Sequence, residues 1–289
     1  MTATALAIPG LHIIADNFDH VLLDQWGTLH EGKSIFPAAR NCVMRLRSAG
    51  KRVLVLSNSG KRAASNRQRL AALGLPPDTY DGVLSSGEVA WTGLRTQIRA
   101  PFVGLGRICF LIARNSDRSI VEGLDLGVTT EIGDADFVLL AGLDDAACEP
   151  ELWRERLTKA AQRRLPMLCA NPDLMMFGAT GLLPAPGALA RFYERLGGEV
   201  AYVGKPHAPI FAAALDRLDN PYPRRVLMIG DSIDHDIAGA RAAGMLTLLL
   251  SAGVHGGTFV NTPDQAAAIR SLAGSDARMP HWTMTHLAW

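Results

Sequence analysis

Four short segments of this 289-residue chain place reactive side chains directly after apolar runs. Asp24 follows Val21-Leu22-Leu23 and precedes a Gly-Thr turn, so its carboxylate could attack phosphorus. The other three segments supply hydroxyls, a cation and carboxylates: Ser57-Asn58-Ser59 after "RVLVL", Lys205 after "VAYVG", and Asp231, Asp234 and Asp236 after "VLMIG". A nucleophile, a phosphate cradle, a positive charge and oxygen ligands for a hard cation are the groups that phosphoryl transfer requires.

Each segment also has an ordinary structural explanation when it is taken alone. A strand-end aspartate can cap a turn, a serine can cap a helix, and a lysine can be a solvated surface residue. Acidic residues at 231–236 suit a helix N-terminus without any metal. The functional interpretation therefore depends on the four segments meeting at one place in the fold.

The elements that would position these residues can be predicted from hydrophobic patterning. Apolar runs without alternation predict strands that are buried on both faces, at 21–24, 52–59, 82–87, 135–144, 166–173, 225–232 and 246–253. Helical patterns lie between them at 65–75, 209–218 and 236–245. This alternation predicts an α/β fold with a mainly parallel sheet, in which ligands gather at the carboxyl ends of the strands.

Composition excludes several other classes of protein. The chain has 29 Lys and Arg against 28 Asp and Glu, a net charge of +1, which argues against nucleic-acid or membrane-surface binding. No apolar run reaches the ~18 residues of a membrane span. The uncharged first fifteen residues lack a basic region and are interrupted by Pro9-Gly10, so they predict a short helix rather than a signal peptide. Four separated cysteines predict reduced core thiols and a cytoplasmic protein.

The motifs, taken in order, resemble those of the haloacid dehalogenase (HAD) superfamily of hydrolases. The closest resemblance is to the class IIA branch, which is NagD-like and 4-nitrophenylphosphatase-like. The matching stretches cover most of the chain: "DQWGTLHEG" with "FP" (24–37), "LSNSGKR" (56–62), "SSGEVA" (85–90), "ANPD" (170–173), "PAPGAL" (184–189), "VGKPHAPIF" (203–211) and "GDSIDHDIAGARAAGM" (230–245).

This resemblance implies a Rossmann-like core with a mainly parallel sheet and a larger inserted α/β cap domain. The implied domains are core at 1–98, cap at 99–201 and core again at 202–289. The segment 170–189 becomes the candidate specificity region, in which Asn171 and Asp173 would bind substrate. Packing within the cap is the favoured role for residues 175–177.

The resemblance also implies a role for each site residue. Asp24 would become an aspartyl-phosphate, and Mg²⁺ would be bound by Asp24, Asp231 and the backbone carbonyl of Trp26. Lys205 would neutralise charge on the nucleophile and the phosphate, with Asp236 as a supporting carboxylate. The phosphoryl oxygens would be held by Ser57, Asn58 and Ser59.

Trp26 is the one departure from the pattern of these phosphatases, which usually carry aspartate there as general acid and base. Three explanations stay open. A nearby group, among His30, His207, Asp234 and His235, could substitute. The substrate could have a leaving group that is a weak base. Finally, the activity could differ, either as a phosphate-ligand sensor on this scaffold or as a dehalogenase, although the acidic set at 231–236 favours a metal and so disfavours dehalogenation.

The sequence therefore predicts a magnesium-dependent phosphatase that acts on a small phosphorylated metabolite. A catalytically weak sensor is the alternative from a different class. No nucleic-acid or membrane partner is expected. The resemblance leaves a homodimer through the cap open.

Overall fold

The computed structural model describes residues 4–178, 181–260, 262 and 264–289. The chain packs as two compact units. The first comprises 1–57, 64–84 and 205–289, and the second comprises 58–63 and 85–204. Packing thus assigns 58–63, 85–98 and 202–204, which were predicted to be core, to the second unit, and the domain boundaries at 99 and 201 stay a prediction.

The strands and helices are numbered in chain order. The strands are β1 (Leu6–Ala7), β2 (His20–Leu23), β3 (Arg52–Ser57), β4 (Gly82–Ser85), β5 (Ile108–Ile112), β6 (Gly127–Thr129), β7 (Phe137–Leu140), β8 (Met167–Cys169), β9 (Met175–Gly178), β10 (Gly181–Pro184), β11 (Val200–Tyr202), β12 (Val226–Gly230), β13 (Leu246–Leu250) and β14 (Trp282–Met284). The α-helices are α1 (Pro37–Ser48), α2 (Ala63–Ala72), α3 (Ser86–Thr96), α4 (Arg154–Gln162), α5 (Pro186–Arg195), α6 (Ala208–Arg217), α7 (Ala238–Ala242), α8 (Gly256–Phe259) and α9 (Gln265–Ala273).

A seven-stranded sheet forms the core of the first unit, in the order β1-β14-β13-β12-β2-β3-β4. Strand β2 lies near its centre and pairs in parallel with β12 on one side and β3 on the other. Its residues Val21, Leu22 and Leu23 are fully buried, as an uninterrupted apolar run in a sheet covered on both faces requires. The α/β fold with a mainly parallel sheet is confirmed.

The two ends of the chain join this sheet. Strand β14 pairs in parallel with β13 and β1, and this gives the aromatic C-terminal segment a place in the core sheet. The helix predicted near the N-terminus is wrong in part. Residues 6–7 form β1, and the helix that follows is a 3₁₀ helix at Leu11–Asn17. Strand β1 forms because β14 supplies its pairing partner, which is a long-range contact.

The second unit has its own five-stranded parallel sheet, in the order β11-β8-β7-β5-β6. Its core is built from side chains of β7, β8 and α5, including Val138, Leu140, Met167 and Leu189. Tyr193 is fully buried there, and its hydroxyl donates to the carbonyl of Leu165 at 2.6 Å. An antiparallel hairpin, β9 with β10, belongs to the same unit.

Two expectations from composition can be compared with the structure. Cys42, Cys109, Cys148 and Cys169 are buried free thiols. Among the residues that the structure describes, every helix is too short or too polar to cross a membrane.

Candidate active site

Lys205 lies between two carboxylates at the end of the central strand. Its Nζ donates to Asp24 Oδ1 at 2.5 Å and to Asp236 Oδ1 at 2.7 Å. The lysine side chain is 3% exposed, and those of Asp24 and Asp236 are 13% and 1% exposed. Asp24 directly follows β2, and its backbone N–H still donates to the carbonyl of Ile229 in β12. The strand end therefore fixes the backbone of the predicted nucleophile, and the structure brings it together with the predicted cation.

Asp236 is held by both of its carboxylate oxygens. Oδ1 accepts from Lys205, and Oδ2 accepts from the backbone N–H of Ser232 at 3.0 Å. Asp236 belongs to a π-helical turn, Ile233–Ile237, that precedes α7. A side chain on Gly230 would collide with its carboxylate, so glycine at the end of β12 permits this close approach. Asp236 therefore orients the lysine ammonium.

Asp231 follows β12 and completes the group. Its Oδ2 accepts from the backbone N–H of Val254 at 2.7 Å. Gly27 and Gly253 pack against the same carboxylate so closely that a Cβ at either position would collide with it. Gly27 also has a φ of +76°, which favours glycine. Two separate loops are thus shaped around this one side chain.

The pKa values of the group are set first by burial and then by the neighbouring charges. Burial raises the pKa of Asp24 well above its usual range. The Lys205 ammonium opposes this shift, and the carboxylates of Asp236 and Asp231 reinforce it. Burial, and then the carboxylate of Asp236, raise the pKa of Asp231 to about 7. For Lys205, burial disfavours the ammonium, but Asp236 and Asp24 outweigh that effect and the pKa is raised.

The three carboxylates fit a hard divalent cation. Asp24, Asp231 and Asp236 each offer one oxygen, and these oxygens lie within 4.8 Å of one another. Mg²⁺ prefers oxygen ligands and commonly takes one or two carboxylates. Because Asp236 is occupied by Lys205 and Ser232, Asp24 and Asp231 are the members suited to bind the cation directly. Burial is the main cause of the raised pKa of both carboxyls, and the neighbouring carboxylates add to it, which a bound cation would offset.

Ser57 is the last residue of β3 and is 9% exposed. Strand β3 pairs in parallel with β2, with Val55 opposite Leu23. Ser57 therefore comes at the same edge of the sheet as Asp24, as the order of the strands predicts. Its predicted contact with a phosphoryl oxygen stays a prediction.

The other predicted substrate-binding residues belong to the second unit. Asn58 Nδ2 donates to Asp173 Oδ1 at 2.7 Å, and the backbone N–H of Asp173 donates to Asn171 Oδ1 at 3.1 Å. Ser59 Oγ accepts from the backbone N–H of Lys61 at 3.3 Å. The structure thus brings Asn58, Asn171 and Asp173 together, and their role in binding substrate stays a prediction.

Part of the candidate specificity region differs from expectation. Residues 179 and 180 lie outside the described residues. Met176 packs against the core of the second unit as predicted, but Met175 and Phe177 are 53% and 61% exposed. The predicted packing within the cap thus holds for Met176 and not for Met175 and Phe177, because alternate side chains of strand β9 point to opposite faces.

Trp26 lies in the loop after the nucleophile, and its side chain packs on that same loop. The indole is 37% exposed and meets the imidazole of His30 edge to face, with ring centroids 5.6 Å apart. A Cβ on Gly32 would lie 2.7 Å from Trp26 Cη2, and Gly32 has a φ of +96°. The guanidinium carbon of Arg69, in α2, is 6.0 Å from the indole centroid. Glycine at position 32 thus makes room for the indole.

The four candidates for a substitute acid have different surroundings. His30 is buried, its Nδ1 accepts from the backbone N–H of Gly32 at 3.1 Å, and burial lowers its pKa to about 4. Asp234 is ion-paired with Arg278. His207 precedes α6, and the N–H of His235 donates to Ser232 Oγ. His30 is therefore neutral near pH 7, and its Nδ1 is occupied.

Sequence reasoning did not identify the groups that hold Asp231. The loop after β13, residues 251–255, supplies both the Val254 N–H and the close approach of Gly253. The signal available in the sequence was Gly253, three residues after the buried apolar run that forms β13. Arg69 was also missed, because its position beside Trp26 depends on how α2 packs against the loop after β2.

Comparisons with known proteins agree with this geometry. A family model described as haloacid dehalogenase-like hydrolase matches residues 21–127, and a HAD-hydrolase-like model matches residues 202–273. A solved hydrolase of the haloacid dehalogenase-like family from Brucella suis is 32% identical. It covers 97% of this chain and 99% of its own, with a TM-score of 0.81.

Two further relatives are more distant. Chronophin of Mus musculus is 27% identical over 282 residues, which is 93% of this chain and 90% of that protein. The glycerol phosphate phosphatase of Mycobacterium tuberculosis, solved in complex with calcium, is 25% identical. The match covers 83% of this chain and 68% of the other, with a TM-score of 0.63.

Proposed function

Because this chain belongs to the haloacid dehalogenase-like hydrolase family, we propose that it is a magnesium-dependent phosphatase of small phosphorylated metabolites. The observation that carries the proposal is the buried ammonium of Lys205 between Asp24 and Asp236, with Asp231 in the same cluster. The relative that acts on glycerol phosphate supports the substrate class.

In this proposal Asp24 is the nucleophile. One carboxylate oxygen attacks phosphorus, and the protein carries the phosphoryl group as an aspartyl-phosphate until water releases it. Lys205 holds Asp24 by a hydrogen bond of 2.5 Å, and the bond from Asp236 keeps the ammonium in place. Since both partners are buried, the positive charge is fixed before substrate arrives, which is the condition for strong electrostatic stabilisation.

Mg²⁺ would be held by Asp24, Asp231 and the backbone carbonyl of Trp26. When bound, it would neutralise charge on the carboxylates and on the phosphate. Ser57 would hold a phosphoryl oxygen. Asn58, Ser59, Asn171 and Asp173 remain proposed substrate-binding residues.

The test is release of inorganic phosphate from 4-nitrophenyl phosphate and from a panel of sugar and glycerol phosphates, with magnesium and with EDTA. We expect turnover that needs magnesium and is lost in Asp24→Asn and Asp231→Asn. Asp219→Asn is the matched control, because Asp219 is 83% exposed and lies in the same unit. A folded protein that binds magnesium and phosphorylated ligands yet releases no phosphate would contradict the proposal and favour a sensor.

We also propose that two copies of the chain associate through the second unit. The exposed apolar side chains of its hairpin, Met175, Phe177 and Leu182, support this arrangement. Sedimentation should give a dimer that Phe177→Ser weakens. Ile98→Ser is the control, since Ile98 is 73% exposed in the same unit. A monomer at all concentrations would contradict the proposed dimer.

A further inference from the structure

Trp26 offers an exposed aromatic face two residues after the proposed nucleophile. Its own loop holds the ring, through the edge-to-face contact with His30 and the close approach of Gly32. About a third of the residue is nevertheless open to solvent, with 37% exposure. A large indole that is fixed and yet exposed is suited to contact a ligand rather than to fill a core.

Arg69 adds a positive charge beside this face. Its guanidinium carbon is 6.0 Å from the centre of the indole, which is the range of a cation–π contact. The arginine side chain is exposed on helix α2. An aromatic ring bordered by a guanidinium suits a planar group on which negative charge develops.

Trp26 cannot donate a proton to a departing oxygen, because the indole N–H is not acidic. His30, its nearest ring neighbour, does not replace it. Nδ1 of His30 accepts from the backbone N–H of Gly32, and Nε2 is buried with no hydrogen-bond partner among the described residues. One ring nitrogen of His30 is thus occupied and the other is shielded from solvent, which does not suit this ring to proton transfer.

We propose that the leaving group departs without a proton from the protein, against the face formed by Trp26 and Arg69, so that the substrates are aryl and acyl phosphates. This inference rests on the proposed phosphatase function. Such leaving groups are phenolates and carboxylates, which are weak bases and are stable as anions. The indole would contact their planar part, and the guanidinium would face the developing charge.

The chemistry balances without a general acid. An oxygen of Asp24 forms a bond to phosphorus while the bond from phosphorus to the leaving oxygen breaks, and that oxygen keeps the electron pair. Water then attacks the phosphorus of the aspartyl-phosphate, and the carboxylate of Asp24 leaves. Both protons of the water stay on the product, so an ester dianion and water give one leaving anion and dihydrogen phosphate.

The test is kcat/KM for a series of substituted phenyl phosphates and for glycerol phosphate. We use kcat/KM because it reports the steps up to release of the leaving group. In the wild type, kcat/KM for 4-nitrophenyl phosphate should exceed kcat/KM for phenyl phosphate by at least about 100-fold. Phenolate is the poorer leaving group, and it lacks the roughly 10²–10⁴-fold assistance that a general acid would contribute. Glycerol phosphate should be slower still.

Three variants and one control variant separate the contributions of the acid, the ring and the guanidinium. Trp26→Asp should reduce the ratio of kcat/KM for 4-nitrophenyl phosphate to kcat/KM for phenyl phosphate to about tenfold or less, because a carboxylic acid can protonate poor leaving groups. Trp26→Phe should keep the steep dependence. Arg69→Gln should raise KM for the phenyl esters by about two- to fivefold, the size of an exposed cation–π contact, and an unchanged KM would contradict the role of Arg69. Arg67→Gln, an exposed arginine on the same helix, should leave KM unchanged.

The outcomes distinguish this inference from the function on which it rests. Similar kcat/KM for aryl and alkyl phosphates in the wild type would overturn the inference and leave the phosphatase function standing. Release of phosphate from none of the esters would overturn both. The wild-type series is decisive even when Trp26→Asp does not fold.

Discussion

Replacing Lys205 by methionine should destabilise the first unit strongly. Methionine retains most of the apolar stem and removes the ammonium, so the change isolates charge from packing. The ammonium is the partner of two buried carboxylates, at 2.5 Å from Asp24 and 2.7 Å from Asp236. Without it, those carboxylates and Asp231 lie together with no cation.

The magnitude follows from burial. Breaking a buried ion pair by removing one partner costs roughly 3–5 kcal/mol, because the charge left behind stays desolvated. Lys205 is 3% exposed and Asp236 is 1% exposed, so solvent cannot compensate. We expect the free energy of unfolding of Lys205→Met, in EDTA, to fall by about 3–5 kcal/mol. Lys33→Met changes an exposed lysine of the same unit and should cost no more than about 0.5 kcal/mol.

Urea unfolding gives the overall loss, and hydrogen exchange of the backbone amides in β2 and β12 assigns it to the first unit. The double variant Lys205→Met/Asp236→Asn should regain at least about 1 kcal/mol relative to Lys205→Met, since it removes one uncompensated carboxylate. A loss below about 1 kcal/mol, or no recovery in the double variant, would refute the argument that this ammonium stabilises the buried carboxylates.

Three further predictions concern the metal, pH and backbone. Magnesium at 100 times its dissociation constant should stabilise the protein by about 2.7 kcal/mol in urea unfolding, and Asp231→Asn should lose most of that gain. Burial lowers the pKa of His281 to about 4. The unfolded chain therefore binds more protons between pH 6.5 and 4, and stability, measured by the urea midpoint, should fall as pH drops through that window, by about 1–2 kcal/mol after solvent screening. His281→Gln should flatten that dependence, and an unchanged profile would contradict it. Gly27→Ala should abolish magnesium-dependent turnover by displacing Asp231, whereas Gly50→Ala, with a similar φ of +73° but open space around it, should retain activity.

The meeting of Asp24, Lys205 and Asp231 could be predicted from the sequence for a simple reason. Asp24 and Asp231 end apolar runs, and parallel strands bring their carboxyl ends to one edge of the sheet. Lys205 was expected at the same edge because it follows the apolar run "VAYVG", but that run forms β11, which belongs to the sheet of the second unit. The order of the apolar runs along the chain was therefore enough to predict that Asp24 and Asp231 lie close together.

The finer arrangement could not be predicted, because it depends on packing between distant segments. The hydrogen bond from Val254 to Asp231 requires the loop after β13 to fold back. The first two residues of the helix predicted at 236–245 belong instead to a π-helical turn, Ile233–Ile237, in which Asp236 approaches Gly230 closely. In the sequence, the only sign of such contacts is a single glycine at each point of close approach.

The path of the chain through the two units has a consequence for biosynthesis. Strand β2 pairs with β12, whose residues follow about two hundred positions later. Most of the second unit is one continuous stretch, 85–204, and all of it emerges from the ribosome before β12 does. Since domains fold as units during translation, that stretch can acquire its structure first, before β12 is available to pair with β2. One edge of β2 thus lacks its neighbour until β12 is made, and the proposed catalytic centre would be among the last parts of the molecule to form.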